Sequence, residues 1–153
     1  MKNLLVGLIA VGMILITGAA LAAGKNTLTV QASVTGTCKF SSPTSTLSFG
    51  SLDPAVGTDV NGSTTTQFWC TKGTTETLSA NDGANFSGGK KNMKHTTGTD
   101  LIPYTLSLSP DGDSNAGPAS PRTLTINGQI LGADYTGKTA GDYADTVTLD
   151  INP

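Results

Sequence analysis

The side chains from which chemistry could be built are few: one histidine, eleven acidic residues and two cysteines. His95 follows Gly88-Gly89-Lys90-Lys91-Asn92-Met93-Lys94, a stretch that reads as a loop. No nucleophile or orienting group is recognisable near it, so it reads as a solvated loop residue rather than a catalytic base. Asp111-Gly112-Asp113-Ser114-Asn115 begins like a calcium loop. Ala116 then stands where the turn needs glycine, and Arg122 where a bidentate Glu belongs. Lys90, Lys91 and Lys94 read as charges on a solvated loop rather than a phosphate or glycan site. Asp142, Asp145 and Asp150 share or flank the last strand and are too scattered for a paired-carboxylate hydrolase. The residues therefore predict no enzyme, no metal, no cofactor and no small-molecule substrate.

Cys38 and Cys70 are the remaining candidates. Their chemistry depends on the compartment. Met1-Lys2-Asn3, an apolar run from Leu4 to Ile16 and small residues to Ala23 make a secretory signal peptide over residues 1–22. Cleavage is expected after Ala22, with Ala23 as the neighbouring choice. The apolar run is short for a membrane span, and no basic stop-transfer cluster follows it. An exported chain meets an oxidising compartment, where two cysteines predict one disulfide. Two free or metal-binding thiols are the competing reading, disfavoured by a single His and the absence of C-x-x-C. Loss of Lys2 with the signal makes the formal charge of −2 one unit more negative. Nothing in that balance favours nucleic acid or an anionic membrane.

The elements that would carry these residues are strands. Thr27-Leu28-Thr29-Val30-Gln31-Ala32-Ser33-Val34-Thr35 alternates without a break, with Leu28, Val30, Ala32 and Val34 on one face. Thr46–Gly50 alternates again, with Leu47 and Phe49 inward. Residues 58–63 read as a turn closing on Asn61-Gly62. Thr64–Thr71 reads as a strand with Phe68 and Cys70 on one face and Trp69 on the other. Thr75–Ala80 is a short strand with Leu78 and Ala80 inward. Residues 84–100 are the least regular part, with room for a brief strand around Phe86 or Met93. Ile102, Tyr104, Leu106 and Leu108 alternate over a long strand, whose start Pro103 confines to an edge or a bulge. Residues 110–121 form a loop. Leu124, Ile126 and Ile130 share a face that Asn127-Gly128 interrupts, and residues 133–141 connect to a last strand through Tyr143, Asp145, Val147, Leu149 and Ile151. No helical periodicity is sustained anywhere. Short strands spaced by Gly, Pro and Asn predict an all-β sandwich.

Several motifs then occur in a fixed order: Leu47-Ser48-Phe49-Gly50-Ser51-Leu52-Asp53-Pro54; Cys70-Thr71-Lys72-Gly73; Lys91-Asn92-Met93-Lys94; Ile102-Pro103-Tyr104-Thr105-Leu106; Leu124-Thr125-Ile126-Asn127-Gly128-Gln129-Ile130; and Gly141-Asp142-Tyr143-Ala144-Asp145-Thr146-Val147. The set resembles the spore coat protein U domain, the pilin domain of archaic chaperone–usher pili, over essentially the whole mature chain. Asn92 stands where members of that family often carry Arg, and Pro103 is a second departure. The resemblance implies an immunoglobulin-like β-sandwich that is incomplete, missing its last strand, and completed by a donor strand. Residues 23–37 would then be the donor segment, with Leu28, Val30, Ala32 and Val34 as its plugs, and residues 38–153 the pilin domain. The acceptor groove would be lined by Phe49, Phe68, Leu106, Val147 and Leu149. The implied partners are other copies of the chain or sibling pilins, a periplasmic chaperone and an outer-membrane usher. The implied location is the periplasm in transit and then a cell-surface pilus supporting adhesion or biofilm formation. A stand-alone secreted adhesin or coat protein that binds a surface or glycan is the alternative.

Overall fold

The computed structural model describes residues 23–153. The expected signal peptide lies outside the described residues. The chain divides into two units, Met1–Ser33 and Val34–Pro153. In the first, the described residues 23–33 form no helix or strand, and all are exposed. The alternating stretch is therefore not a paired strand in this chain. Leu28 and Val30 are 81% and 83% exposed, and Val34, at the start of the second unit, 85%.

The second unit is built of eight strands: β1 (Cys38–Phe40), β2 (Val60–Cys70), β3 (Thr77–Ala80), β4 (Lys91–His95), β5 (Leu101–Ser109), β6 (Arg122–Ile130), β7 (Tyr143–Ala144) and β8 (Leu149–Asn152). One four-residue helix, Gly132–Tyr135, precedes β7. All pairings are antiparallel. Six strands form one sheet in the order β1-β2-β6-β5-β4-β7, and β3 and β8 form a separate ribbon. The all-β expectation holds. Strand alternation explains it: β2 and β6 bury every second side chain from Thr64 to Cys70 and from Leu124 to Ile130 to at least a half-buried state.

Two clusters fill the core. Phe68, Cys70, Leu124 and Ile126 of the sheet pack against Leu78 of β3, with Leu149 and Ile151 of β8 alongside. Ile102, Tyr104, Ile130 and Tyr135 make the other, joined by Phe49, Met93 and Val147. Trp69 lies on the opposite parity from the fully buried Cys70 and Phe68, as the alternation requires.

Three expectations change. Asn61-Gly62 is not a turn; it lies within β2, opposite Gln129 and Gly128. Asn127-Gly128 does not interrupt β6. The last strand is split: Tyr143–Ala144 pairs with β4 in the large sheet, whereas Leu149–Asn152 pairs with β3 in the ribbon. Pro103 lies inside β5, between β4 and β6 in the sheet order. Pairing with β6 begins only at Thr105, so on that side Pro103 stands at a local edge and its missing N–H leaves no gap in that ladder.

Cys38 and Cys70 are directly opposite in register between β1 and β2, and their sulfurs are bonded. The bond ties a three-residue strand to the longest one. Replacing Cys38 or Cys70 by Ser should cost roughly 2–5 kcal/mol of stability. Chemical denaturation under oxidising conditions checks this, and an unchanged midpoint would refute it.

Candidate functional site

Between the split halves of the last strand, Asp145–Thr148 belongs to neither sheet. Its side chains still alternate between half-buried and exposed, so the chain runs extended. Thr146 and Thr148 turn their carbonyls toward one side, where the backbone N–H groups of Ala84 and Asn81 donate to them at 3.0 Å each. Neighbouring residues of an extended chain direct their N–H and C=O groups to opposite sides. The peptide groups of Asp145 and Val147 therefore face the other way, where no backbone–backbone bond among the described residues reaches them.

Residues 42–50 face this edge across a gap. Leu47 and Phe49 turn inward, yet no backbone–backbone bond joins the segment to the sheet. The gap is an open groove of about 650 Å³. Its walls are residues 42–49 and 144–149. Its floor is the inner face of the large sheet: Thr64 and Thr66 of β2, Ile126 of β6, Tyr104 and Leu106 of β5, and Met93 of β4. The floor is mostly apolar, and main-chain groups on both walls, at Asp145 and Val147 and along residues 42–50, have no backbone partner among the described residues.

Residues 25–150 match the Spore Coat Protein U domain. The chain belongs to that family. No curated protein matches the chain. Among solved structures, the CsuC–CsuE chaperone–tip adhesion subunit pre-assembly complex from archaic chaperone-usher Csu pili of Acinetobacter baumannii contains a similar chain. The two are 17% identical with a TM-score of 0.49, and the match covers 77% of this chain and 40% of that one.

Within this spore coat protein U domain, Phe49, Leu106, Val147 and Leu149 are among the residues that line the groove. Phe68 is not. It is fully buried, edge-on to Phe40 at 6.5 Å and with the Arg122 guanidinium 5.4 Å from its ring centroid. Its parity was legible but its depth was not, because depth depends on β1 lying over it. Tyr104, Ile126 and Met93 were missed as floor residues. Each lies on the inward parity of its strand, but no local signal separates floor from closed core.

The closing Gly141-x-Tyr143-x-Asp145 motif acquires a physical meaning. His95 is buried on β4, not solvated in a loop. Its Nε2 lies 3.2 Å from the Ala140 carbonyl, which can only accept, while Nδ1 accepts the Thr97 N–H at 3.1 Å. These two contacts hold the ring in place from both edges. A side chain at position 141 would place its Cβ 2.4 Å from Nε2, so glycine is required for space there as well as for its φ of +146°. Tyr143 stacks edge-on against the imidazole at 5.0 Å and donates its hydroxyl to the Thr139 carbonyl. Asp145 accepts the Tyr104 hydroxyl at 2.6 Å and two N–H bonds from Asn85. Burial first, and then this carboxylate, raise the Tyr104 pKa well above the tyrosine range. The phenol thus stays a donor at neutral pH. Its contribution to stability is complete below the ordinary tyrosine pKa and is lost as pH climbs from there through the raised value. The motif anchors the groove's far wall.

The other chemical candidates are likewise engaged in structure. Asp111 accepts the Leu78 N–H at 2.7 Å, and Asp113 accepts from Arg122 at 2.6 Å. Asn115 donates to the fully buried Glu76, which also binds Arg122. Asn92 donates its side-chain amide to the carbonyls of Asn85, Ser87 and Lys90, so it holds the 85–90 loop. Among the described residues, no group of three or more His, Cys, Asp or Glu is placed to hold a metal ion.

Proposed function

We propose that this chain is a structural subunit of an extracellular fibre, assembled head to tail by insertion of one subunit's N-terminal strand into the groove of the next. The observation that carries the reading is the groove itself, with unpaired main chain on both walls and an apolar floor. The family supplies the setting of a chaperone–usher pilus. The donor is residues 23–37, with Leu28, Val30, Ala32 and Val34 directed into the groove and the intervening Thr, Gln and Ser outward. An inserted strand gains main-chain bonds along Asp145 and Val147 and buries its apolar face. Leu28, Val30 and Val34 contribute roughly 1.5–3 kcal/mol each, offset in part by the entropy of ordering the segment. The contact is between two different surfaces and does not close on itself, so it propagates as a filament.

A subunit with an empty groove exposes apolar surface and an open sheet edge, an aggregation hazard. A periplasmic chaperone that occupies the groove until the usher exchanges it for a donor removes that hazard. The chain travels by signal peptide to the periplasm and resides finally on the cell surface, where the fibre supports adhesion or biofilm formation. It is not an enzyme.

Negative-stain microscopy of the exported product, with and without residues 24–35, tests the reading. Fibres should vanish on deletion while the disulfide-bonded body is still exported. Fibres of normal length from the deleted chain would overturn it.

A further inference from the structure

The inner face of the large sheet lacks side chains at one place. Gly62 of β2 and Gly128 of β6 stand directly opposite each other in register. Neither has the positive φ that demands glycine, so the reason is space. A Cβ at position 128 would lie 2.7 Å from both Leu47 Cδ2 and Phe49 Cζ. One at position 62 would lie 2.9 Å from the Ser48 carbonyl oxygen. Contacts that short do not occur without something moving. What lies over the pair is the 42–50 segment, the groove wall that no backbone–backbone bond ties to the sheet. The wall is held where its two apolar side chains come to rest, and they rest on these glycines.

We propose that the Gly62–Gly128 pair is the seat of this wall, and that its missing side chains set the width of the groove. The pair thereby selects the strand the groove accepts: one from a second copy, with alternating Leu, Val and Ala side chains. The proposal rests on the fibre-subunit reading. An added methyl at position 62 meets the Ser48 carbonyl, main chain of the wall itself, and lifts the wall from the floor, so an inserted strand cannot pair with both walls at once; one at position 128 meets only the ends of the Leu47 and Phe49 side chains, which move at less cost. The two glycines touch no partner; they are positioning residues that act through Leu47, Ser48 and Phe49.

The test uses full-length chains carrying Val30→Asp, whose own segments cannot serve as donors. Binding of a fluorescent peptide spanning residues 24–36 is followed by polarisation. Gly62→Ala should weaken binding about tenfold or more, the equivalent of ~1.4 kcal/mol. Gly137→Ala, where nothing lies within 4 Å of an added Cβ, should bind as the parent does. Nuclear Overhauser contacts in the free protein supply the second readout: those from Leu47 and Phe49 to the sheet should weaken in Gly62→Ala, with those inside β5 and β6 unchanged. Leu47→Ala adds no bulk to the sheet, so it reports even if Gly62→Ala fails to fold, and it should weaken the Phe49 contacts. In the double variant the binding losses should be less than multiplicative, because both act on one seat. A folded Gly62→Ala chain that binds as tightly as its parent, or unchanged Phe49 contacts in Leu47→Ala, would overturn the seat. Failure of the parent to bind the peptide would instead overturn the fibre reading, with the Overhauser contacts still deciding the seat.

Discussion

Val30→Asp is expected to abolish fibre growth while leaving a folded, exportable subunit. The side chain is exposed in the single chain, so the substitution costs the body nothing. Inserted in a groove floored by Leu106, Ile126 and Tyr104, the carboxylate would lose its water and gain no partner. A penalty of about 4 kcal/mol corresponds to roughly a thousandfold loss of affinity. The defect is directional. The variant keeps its own groove and still accepts a wild-type donor, so in mixtures it terminates filaments. Val147→Asp makes the reciprocal defect: it donates but does not accept. Length distributions of fibres grown from defined mixtures measure both effects. Undiminished length with an excess of Val30→Asp subunits would show that residues 27–35 are not the donor.

Arg122→Ala should be the most damaging single change in the folded body. Arg122 pairs with Glu76, whose side chain is fully buried, and with Asp113 at 2.6 Å. Its guanidinium also lies over Phe68. Its removal leaves the buried Glu76 carboxyl with Asn115 as its one side-chain donor among the described residues. Breaking a buried pair from one side typically costs ~3–5 kcal/mol, whereas removing both charges costs much less. Arg122→Leu with Glu76→Leu should therefore recover part of the loss. Urea midpoints of the two variants and the wild type check the order, and Arg122→Ala within about 0.5 kcal/mol of wild type would refute it.

Periodicity made most strands legible. β2, β5 and β6 were each read with the correct inward parity, because a half-buried strand must alternate. The misreadings have one physical source: the sequence shows residue type but not what lies above it. Asn61-Gly62 and Asn127-Gly128 look like turns because glycine usually marks conformation. Here glycine marks a close approach by residues 47–49, distant along the chain. His95 looked solvated because its neighbours are Gly and Lys, yet Gly98 and Gly141 are the space that admits its ring. The last strand alternates without a break from Tyr143 to Asn152, so nothing local announces that it leaves one sheet for another. The inward parity of Phe49, Leu106, Val147 and Leu149 was accessible to the same reasoning, whereas their grouping in a groove came from the resemblance. The distinction between groove and closed core was not accessible, since it depends on which strand is missing.

The disulfide has a mechanical consequence. In the proposed fibre, tension enters each subunit through its N-terminal segment and arrives at Cys38. β1 is three residues long and would peel from the sheet edge under load. The Cys38–Cys70 bond carries the pull past β1 into the end of β2. There it spreads as shear along the β2–β6 ladder, from Phe68↔Arg122 to Val60↔Ile130. The load path thus runs through a covalent bond and the longest ladder among the described residues, not through the three residues of β1.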